Sequence, residues 1–147
     1  MLNLRSPAFG TNAPIPTDHT CDGAGTPPPL QWTGAPEETK SFALIVDDPD
    51  APDPRAPQRT YVHWVAYDIP PNATSIGRGH REGVNDGHQP GYTGPCPPIG
   101  RHRYFFKLYA LDVELGDLGQ PTKADLERAM KGHVLATAQL VGLVPHE

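Results

Sequence analysis

The 147-residue chain has few of the motifs that mark common enzyme classes. Its two cysteines, Cys21 and Cys96, show no C-x-x-C spacing, so they form neither a disulfide scaffold nor a usual zinc motif. We expect them to be free thiols rather than a single bridge. No G-x-S-x-G, G-x-G-x-x-G or P-loop pattern occurs. The sequence therefore lacks a recognisable nucleophilic or nucleotide-binding motif.

Positive charge and long apolar runs are also scarce. The formal net charge is −5, whereas binding to nucleic acid or an anionic membrane surface favours a basic patch. No apolar run reaches 18 residues, and the first residues lack the apolar core of a signal peptide. We therefore expect a cytoplasmic, soluble protein with no nucleic-acid partner and no stable membrane insertion.

Proline and glycine, by contrast, make up 34 of the 147 residues, about twice their average usage. They are scattered among apolar segments, which favours many short strands and tight turns. The length suits one domain, and no linker or repeat divides residues 1–147. Alternating apolar residues predict strands over 41–48, 60–69 and 102–111, with further strands in 1–9, 30–33 and 134–144. Residues 13–29 and 70–101 are predicted as irregular segments.

One helix is predicted after Pro121. Thr122 and Asp125 form a capping-box pattern, and Gly132 suits the position after the C-terminal cap. The buried stripe of this helix would consist of Leu126, Ala129 and Met130.

The most informative stretch is residues 94–111, in which a stiff Pro/Gly loop leads into a long alternating strand. His102 and Tyr104 begin the apolar face of this strand, and such a strand should lie in the middle of a sheet. Asp48 ends the apolar face of strand 41–48, while Asp47 is expected to be an ordinary outward acid. His63 lies near the start of strand 60–69. If strand 41–48 neighbours both other strands, these polar residues gather at one rim of the sheet.

Other interpretations of these residues stay open. A single histidine is more often a satisfied structural residue than a ligand contact, and Asp48 alone could cap the turn at Pro49. A metal site built from His63, His102, Asp48 and Asp50 is chemically feasible. Cys96 lies in the right loop for a nucleophile, but no helix N-terminus accompanies it to lower its pKa.

Several motifs together resemble one known family. They are C-D-G at 21–23, P-L-Q-W at 29–32, D-P-D-A-P at 48–52, V-H-W at 62–64, and G-P-C-P-P-I-G-R-H-R-Y at 94–104. In this order they are similar to the phosphatidylethanolamine-binding proteins, also called Raf kinase inhibitor proteins, and to their bacterial branch. The resemblance covers about residues 13–144.

The resemblance implies a mainly β fold, an antiparallel Greek-key β-sandwich with one or two short helices. It also implies a small pocket for a phosphate-like anion or phospholipid head group. The implied pocket residues are Asp48, Asp50, His63, Pro97, Pro98, His102 and Tyr104, with Tyr61 at a position where an aromatic residue is usual.

The leading hypothesis is a non-enzymatic binding protein with no catalytic residues, metal or cofactor. His63, His102 and Tyr104 would donate to the anion, while Asp48 and Asp50 would order the imidazoles or meet a cationic part of the ligand. The alternative is a kinase or protease inhibitor that acts by protein–protein interaction. A metal-dependent or phosphoester-handling enzyme is a third reading. The resemblance also raises a homodimer, because bacterial members are often dimeric.

Overall fold

Eight strands and one α-helix form the regular structure in a computed structural model that describes residues 1–77, 79–96 and 100–145. The strands are β1 (Asn3–Arg5), β2 (Ala13–Pro14), β3 (Gln31–Thr33), β4 (Ser41–Ala51), β5 (Arg59–Ile69), β6 (Arg81–Glu82), β7 (Arg101–Leu111) and β8 (Val134–Pro145). The helix α1 spans Lys123–Met130, and one 3-10 turn spans Thr17–His19. The prediction of a mainly β protein is confirmed.

A six-stranded sheet in the order β2-β8-β7-β4-β5-β6 forms the body of the fold, and β1 and β3 form a separate pair. Neighbouring strands are antiparallel except β2 and β8, which run parallel, so the expectation of an all-antiparallel arrangement needs this correction. The short strands β2 and β6 lie in segments predicted to be irregular. The Greek-key sandwich arrangement stays a prediction.

Strand β7 is central, as its alternation predicts, and pairs with β4 and β8. The predicted apolar face is buried, from His102 through Tyr104 and Phe106 to Leu108 and Ala110. Strand β4 pairs with both β5 and β7, which is the condition for the predicted polar rim.

Strand β4 is buried on both faces, and this overturns the prediction for Asp47. Its second face carries Ala43 and Ile45 and packs with Leu126 and Met130 of α1. Asp47 follows on that face and is 1% exposed, with its carboxylate bound by the ammonium groups of two lysines, Lys107 at 3.0 Å and Lys123 at 2.8 Å. Helix α1 covers this face of β4, so the side chain of Asp47 is buried. The alternation of residues within β4 cannot reveal that cover.

Helix α1 begins as predicted. The Thr122 hydroxyl accepts a hydrogen bond from the Asp125 backbone N–H, and the Asp125 carboxylate accepts one from Thr122 N–H. Leu126 and Met130 are buried, whereas Ala129 is half-buried. Within the residues that the structure describes, no helix has the length and apolar character needed to cross a membrane.

Candidate functional site

A pocket of about 360 Å³ lies where the C-terminal end of β4 meets the starts of β5 and β7. It is lined by Cys21, Asp48, Ala51, Pro52, Arg59, Tyr61, His63, Thr93, Gly94, Cys96, His102 and Tyr104. Five of the eight predicted site residues are in this lining. Asp50 is not among them, and Pro97 and Pro98 lie outside the described residues.

Asp48 and His102 form a buried pair at the floor of the pocket, with side chains 4% and 1% exposed. One oxygen of Asp48 accepts a hydrogen bond from the backbone N–H of Asp50 at 2.7 Å, and the other lies 2.5 Å from Nδ1 of His102. The second ring nitrogen, Nε2, lies 3.1 Å from the carbonyl oxygen of Pro52. The protein therefore engages both nitrogens of His102.

The protonation of this pair follows from its partners. The Pro52 carbonyl can only accept, so Nε2 of His102 carries a proton. A contact of 2.5 Å between Nδ1 and a carboxylate oxygen needs a second proton between them, because two lone pairs would repel. Whichever partner holds that proton, the pair is neutral overall. His102 thus orders Asp48, and a role for it in donating to a ligand stays a prediction.

His63 is placed differently. Its Nδ1–H donates to the Thr93 carbonyl at 3.0 Å, and the Thr93 N–H donates back to the His63 carbonyl at 2.9 Å. In the described part of the chain, Nε2 of His63 makes no hydrogen bond. Burial lowers the pKa of His63 below its usual value, while the Thr93 carbonyl and the charge of Asp48 oppose that shift. At neutral pH the ring is therefore uncharged, and its Nε2 carries a lone pair with no hydrogen bond to the described residues.

Aromatic rings hold His63 in place. Its ring centroid lies 4.8 Å from that of Tyr61 and 5.1 Å from that of Tyr104. Burial raises the pKa of the Tyr104 phenol, and the negative charge of Asp48 raises it further. The phenol therefore keeps its hydroxyl proton at physiological pH. The two rings give the pocket apolar walls around one imidazole.

Arg59 is a lining residue that sequence reasoning missed. Its guanidinium carbon lies 5.0 Å from the centroid of the Tyr61 ring. The signal was present: Arg59, Tyr61 and His63 alternate along β5 and so share a face. The predicted strand began at residue 60, one residue too late to include it.

Asp50 faces away from the pocket and binds Arg103. The guanidinium donates to both carboxylate oxygens of Asp50, at 3.0 and 2.9 Å, and the backbone N–H of Arg103 donates at 2.9 Å. These bonds lower the pKa of Asp50 despite its burial. Asp50 therefore anchors the end of β4 to β7 and does not order an imidazole.

The two cysteines form a disulfide with a Cα–Cα distance of 5.4 Å, so the expectation of free thiols is wrong. The Cys21 N–H donates to the Pro95 carbonyl at 3.1 Å, which brings the two loops together. At Gly94 a Cβ would lie 2.9 Å from the carbonyl carbon of Thr20, so this close approach requires glycine. A separation of 75 residues hides this contact from sequence reasoning.

The metal site that the sequence left open does not form among the described residues. No group of three or more His, Cys, Asp or Glu side chains there is arranged to hold a metal ion. Three of the four candidate ligands already have partners, since Asp50 binds Arg103 and Asp48 and His102 bind each other.

Fold and pocket together define a mainly β protein with a small polar pocket at the rim of its central strands. The family model described as phosphatidylethanolamine-binding protein matches residues 5–145. The chain is 47% identical to a UPF0098 protein of Methanothermobacter thermautotrophicus, over 97% of both chains. It is 41% identical to a UPF0098 protein of Chlamydia trachomatis, over 96% of this chain and 97% of the other.

Solved structures agree. The structure of CT736, a putative phosphatidylethanolamine-binding protein homolog from Chlamydia trachomatis, has a TM-score of 0.93 and 39% identity, covering 99% of this chain and 98% of the other. YbcL of E. coli, described as a member of the mammalian PEBP family, has a TM-score of 0.88 and 30% identity over 99% of both chains. The chain belongs to the phosphatidylethanolamine-binding protein family. Its relatives come from archaea and bacteria, so the bacterial branch stays a prediction.

Proposed function

We propose that the chain is a non-enzymatic binding protein whose pocket holds a phosphate-like anionic group against His63. The observation that carries this proposal is that the two histidines have different hydrogen-bond partners. Asp48 and His102 neutralise each other, whereas His63 lines the pocket and its Nε2 makes no hydrogen bond within the described residues.

Proton uptake is the step that makes His63 an anion-binding group. A neutral imidazole that already donates from Nδ1 can only accept at Nε2, so it repels an anion. Once Nε2 is protonated, both ring nitrogens donate, one to Thr93 and one to the anion. The anion itself favours the protonated ring and therefore raises its pKa. Binding should weaken as pH rises, because the proton becomes harder to supply.

The pocket chemistry favours binding over turnover. Both cysteines in its wall are oxidised to a disulfide, and Thr93 is the one aliphatic hydroxyl among the described lining residues. The Thr93 backbone is clamped to His63 by two hydrogen bonds. No described lining residue is a nucleophile held beside a base. A head group of a phospholipid and a free phosphate ester offer the same oxyanion to this site.

Calorimetric titration with sulfate tests the proposal, since sulfate keeps its charge between pH 6 and 8. We expect tighter binding at pH 6 than at pH 8, loss of binding in His63→Gln, and unchanged binding in His133→Gln. His133 is a surface histidine that pairs with Asp112 at 2.9 Å and serves as the matched control. Absence of sulfate binding at both pH values, or a His63→Gln variant that binds as well as the native chain, would contradict it. A turnover screen with phosphoesters should give no hydrolysis.

The sequence also raises a protein partner, a homodimer and a cytoplasmic location. A structural neighbour is carboxypeptidase Y inhibitor in complex with its cognate proteinase. At 18% identity this likeness supports a shared fold and not a shared function. Inhibition of a kinase or protease, a homodimer and a cytoplasmic location are proposed from the sequence. The disulfide bears on the last of these, because such bonds persist mainly in oxidising compartments.

A further inference from the structure

We propose that Arg59 is the second anion-recognising residue of this pocket and that, together with His63, it selects a phosphomonoester-like dianion over a phosphodiester. This inference rests on the proposed function, because it assigns the ligand class of the same site. It goes beyond that proposal in naming a residue and a charge state.

The first argument is geometric. Arg59, Tyr61 and His63 occupy alternate positions of β5, and the three groups follow one another along the pocket wall. The distances of 5.0 Å and 4.8 Å to the Tyr61 ring place the guanidinium carbon within about 10 Å of the centre of the imidazole. A tetrahedral oxyanion with a hydrogen bond on each side spans roughly 8 Å between its donors. Both groups line the same pocket, and we place one such anion between them.

The second argument is that Arg59 has no carboxylate partner among the described residues, and its recorded contact is with the Tyr61 ring. Two other arginines of the described chain have carboxylate partners. Arg103 binds Asp50, and Arg55 binds Asp53. A guanidinium that lines a pocket without a counter-ion is a ready binding group for a carboxylate or phosphate.

The third argument concerns the charge around His63. Three carboxylates act on its ring: Asp48, Asp86 and Asp47. Asp48 is neutralised by His102, Asp47 by two lysines, and Asp86 accepts a hydrogen bond from the backbone N–H of Val62.

Among the described lining residues Arg59 is the one permanent cation, and protonated His63 adds a second positive charge when the anion binds. Two positive charges match a phosphomonoester, which carries about −1.5 to −2 at pH 7. A phosphodiester carries one negative charge and leaves one of the two cations without a partner. The guanidinium fork also adds geometric specificity that a lysine cannot supply.

Paired probes test the inference on the full chain. O-phosphoethanolamine and glycerophosphoethanolamine share an ethanolamine group but differ in phosphate charge. We expect the native chain to bind the monoester at least about ten-fold more tightly at pH 7 and low ionic strength. Arg59→Gln should lose about ten-fold or more in monoester affinity and less in diester affinity, whereas Arg59→Lys should lose less than Arg59→Gln. Arg55→Gln is the control, because Arg55 is 84% exposed and lies outside the pocket lining.

The outcomes separate this inference from the proposed function. One outcome is that the native chain binds sulfate with the expected pH dependence while Arg59→Gln binds both ethanolamine probes as tightly as the native chain does. In that case Arg59 is not a recognition residue. Equal or tighter binding of the diester by the native chain would overturn the selection of a dianion. If neither probe nor sulfate binds, the proposed function fails as well. Thermal unfolding of Arg59→Gln should match the native chain, which excludes misfolding as the cause of weakened binding.

Discussion

Replacing Asp48 with asparagine should strongly destabilise the protein. The Asp48 and His102 side chains are 4% and 1% exposed, and they lie 2.5 Å apart. Removing one partner of such a buried pair costs about 3–5 kcal/mol, because the short Asp48–His102 contact is lost while the remaining group stays buried. A natural domain of this kind is stable by about 5–15 kcal/mol, so the loss is a large share of the total. For a chain of this length the midpoint of thermal unfolding should fall by roughly 10 °C.

Urea unfolding at pH 7 measures this effect. Asp53→Asn is the matched control, since it makes the same chemical change at an exposed pair with Arg55, and we expect no measurable loss there. A double-mutant cycle with His102→Gln adds a second criterion. The double variant should lose less stability than the two single variants lose together, because both partners are gone. Strict additivity, or an Asp48→Asn variant as stable as Asp53→Asn, would refute the pairing of Asp48 with His102.

Two further predictions follow from the surroundings of the pocket. Because Arg103 lowers the pKa of Asp50, the stability that this pair contributes is fully present above about pH 4 and is lost as pH falls through the lowered value in the folded state. Arg103→Gln should therefore be less stable than the native chain at pH 7 in thermal unfolding, and the difference should shrink as pH falls below about 4. A difference that does not change with pH would argue against this pair. Reducing the Cys21–Cys96 bridge, which joins residues 75 apart, should cost up to about 4 kcal/mol in urea unfolding. A reductant that leaves the midpoint unchanged would contradict that expectation.

The central strands could be predicted because burial on one face imposes a period of two. Alternation over 41–48, 60–69 and 102–111 identified β4, β5 and β7, and their pairing brought Asp48, His63, His102 and Tyr104 to one pocket. The capping box at Thr122 located the helix start for a similar local reason. Where local physics decides the conformation, the sequence was sufficient.

The sequence-based predictions were wrong where contacts between residues far apart in the sequence determine the structure. Asp47 is buried because α1 covers the second face of β4, and no pattern within β4 reveals that cover. The disulfide joins two loops 75 residues apart. The two-residue strands β2 and β6 are too short to show any alternation.

The individual roles of the polar residues were the least accessible. Asp50 and Asp48 are two residues apart, yet one binds Arg103 outside the pocket and the other binds His102 at its floor. The two histidines differ in the same way, since Pro52 occupies Nε2 of His102 while Thr93 occupies only Nδ1 of His63. Such assignments depend on which carbonyl oxygen lies beside each ring, and only the folded chain determines that.

The central claim is that His63 takes up a proton when an anion enters the pocket. Nuclear magnetic resonance of the histidine side chains, recorded against pH with and without saturating sulfate, tests it most directly. Without sulfate, the midpoint for His63 should lie below the usual value of about 6.5, because burial lowers its pKa. With sulfate it should move upward, while the resonances of the surface residue His133 stay in place. A His63 midpoint that sulfate leaves unchanged would contradict the account.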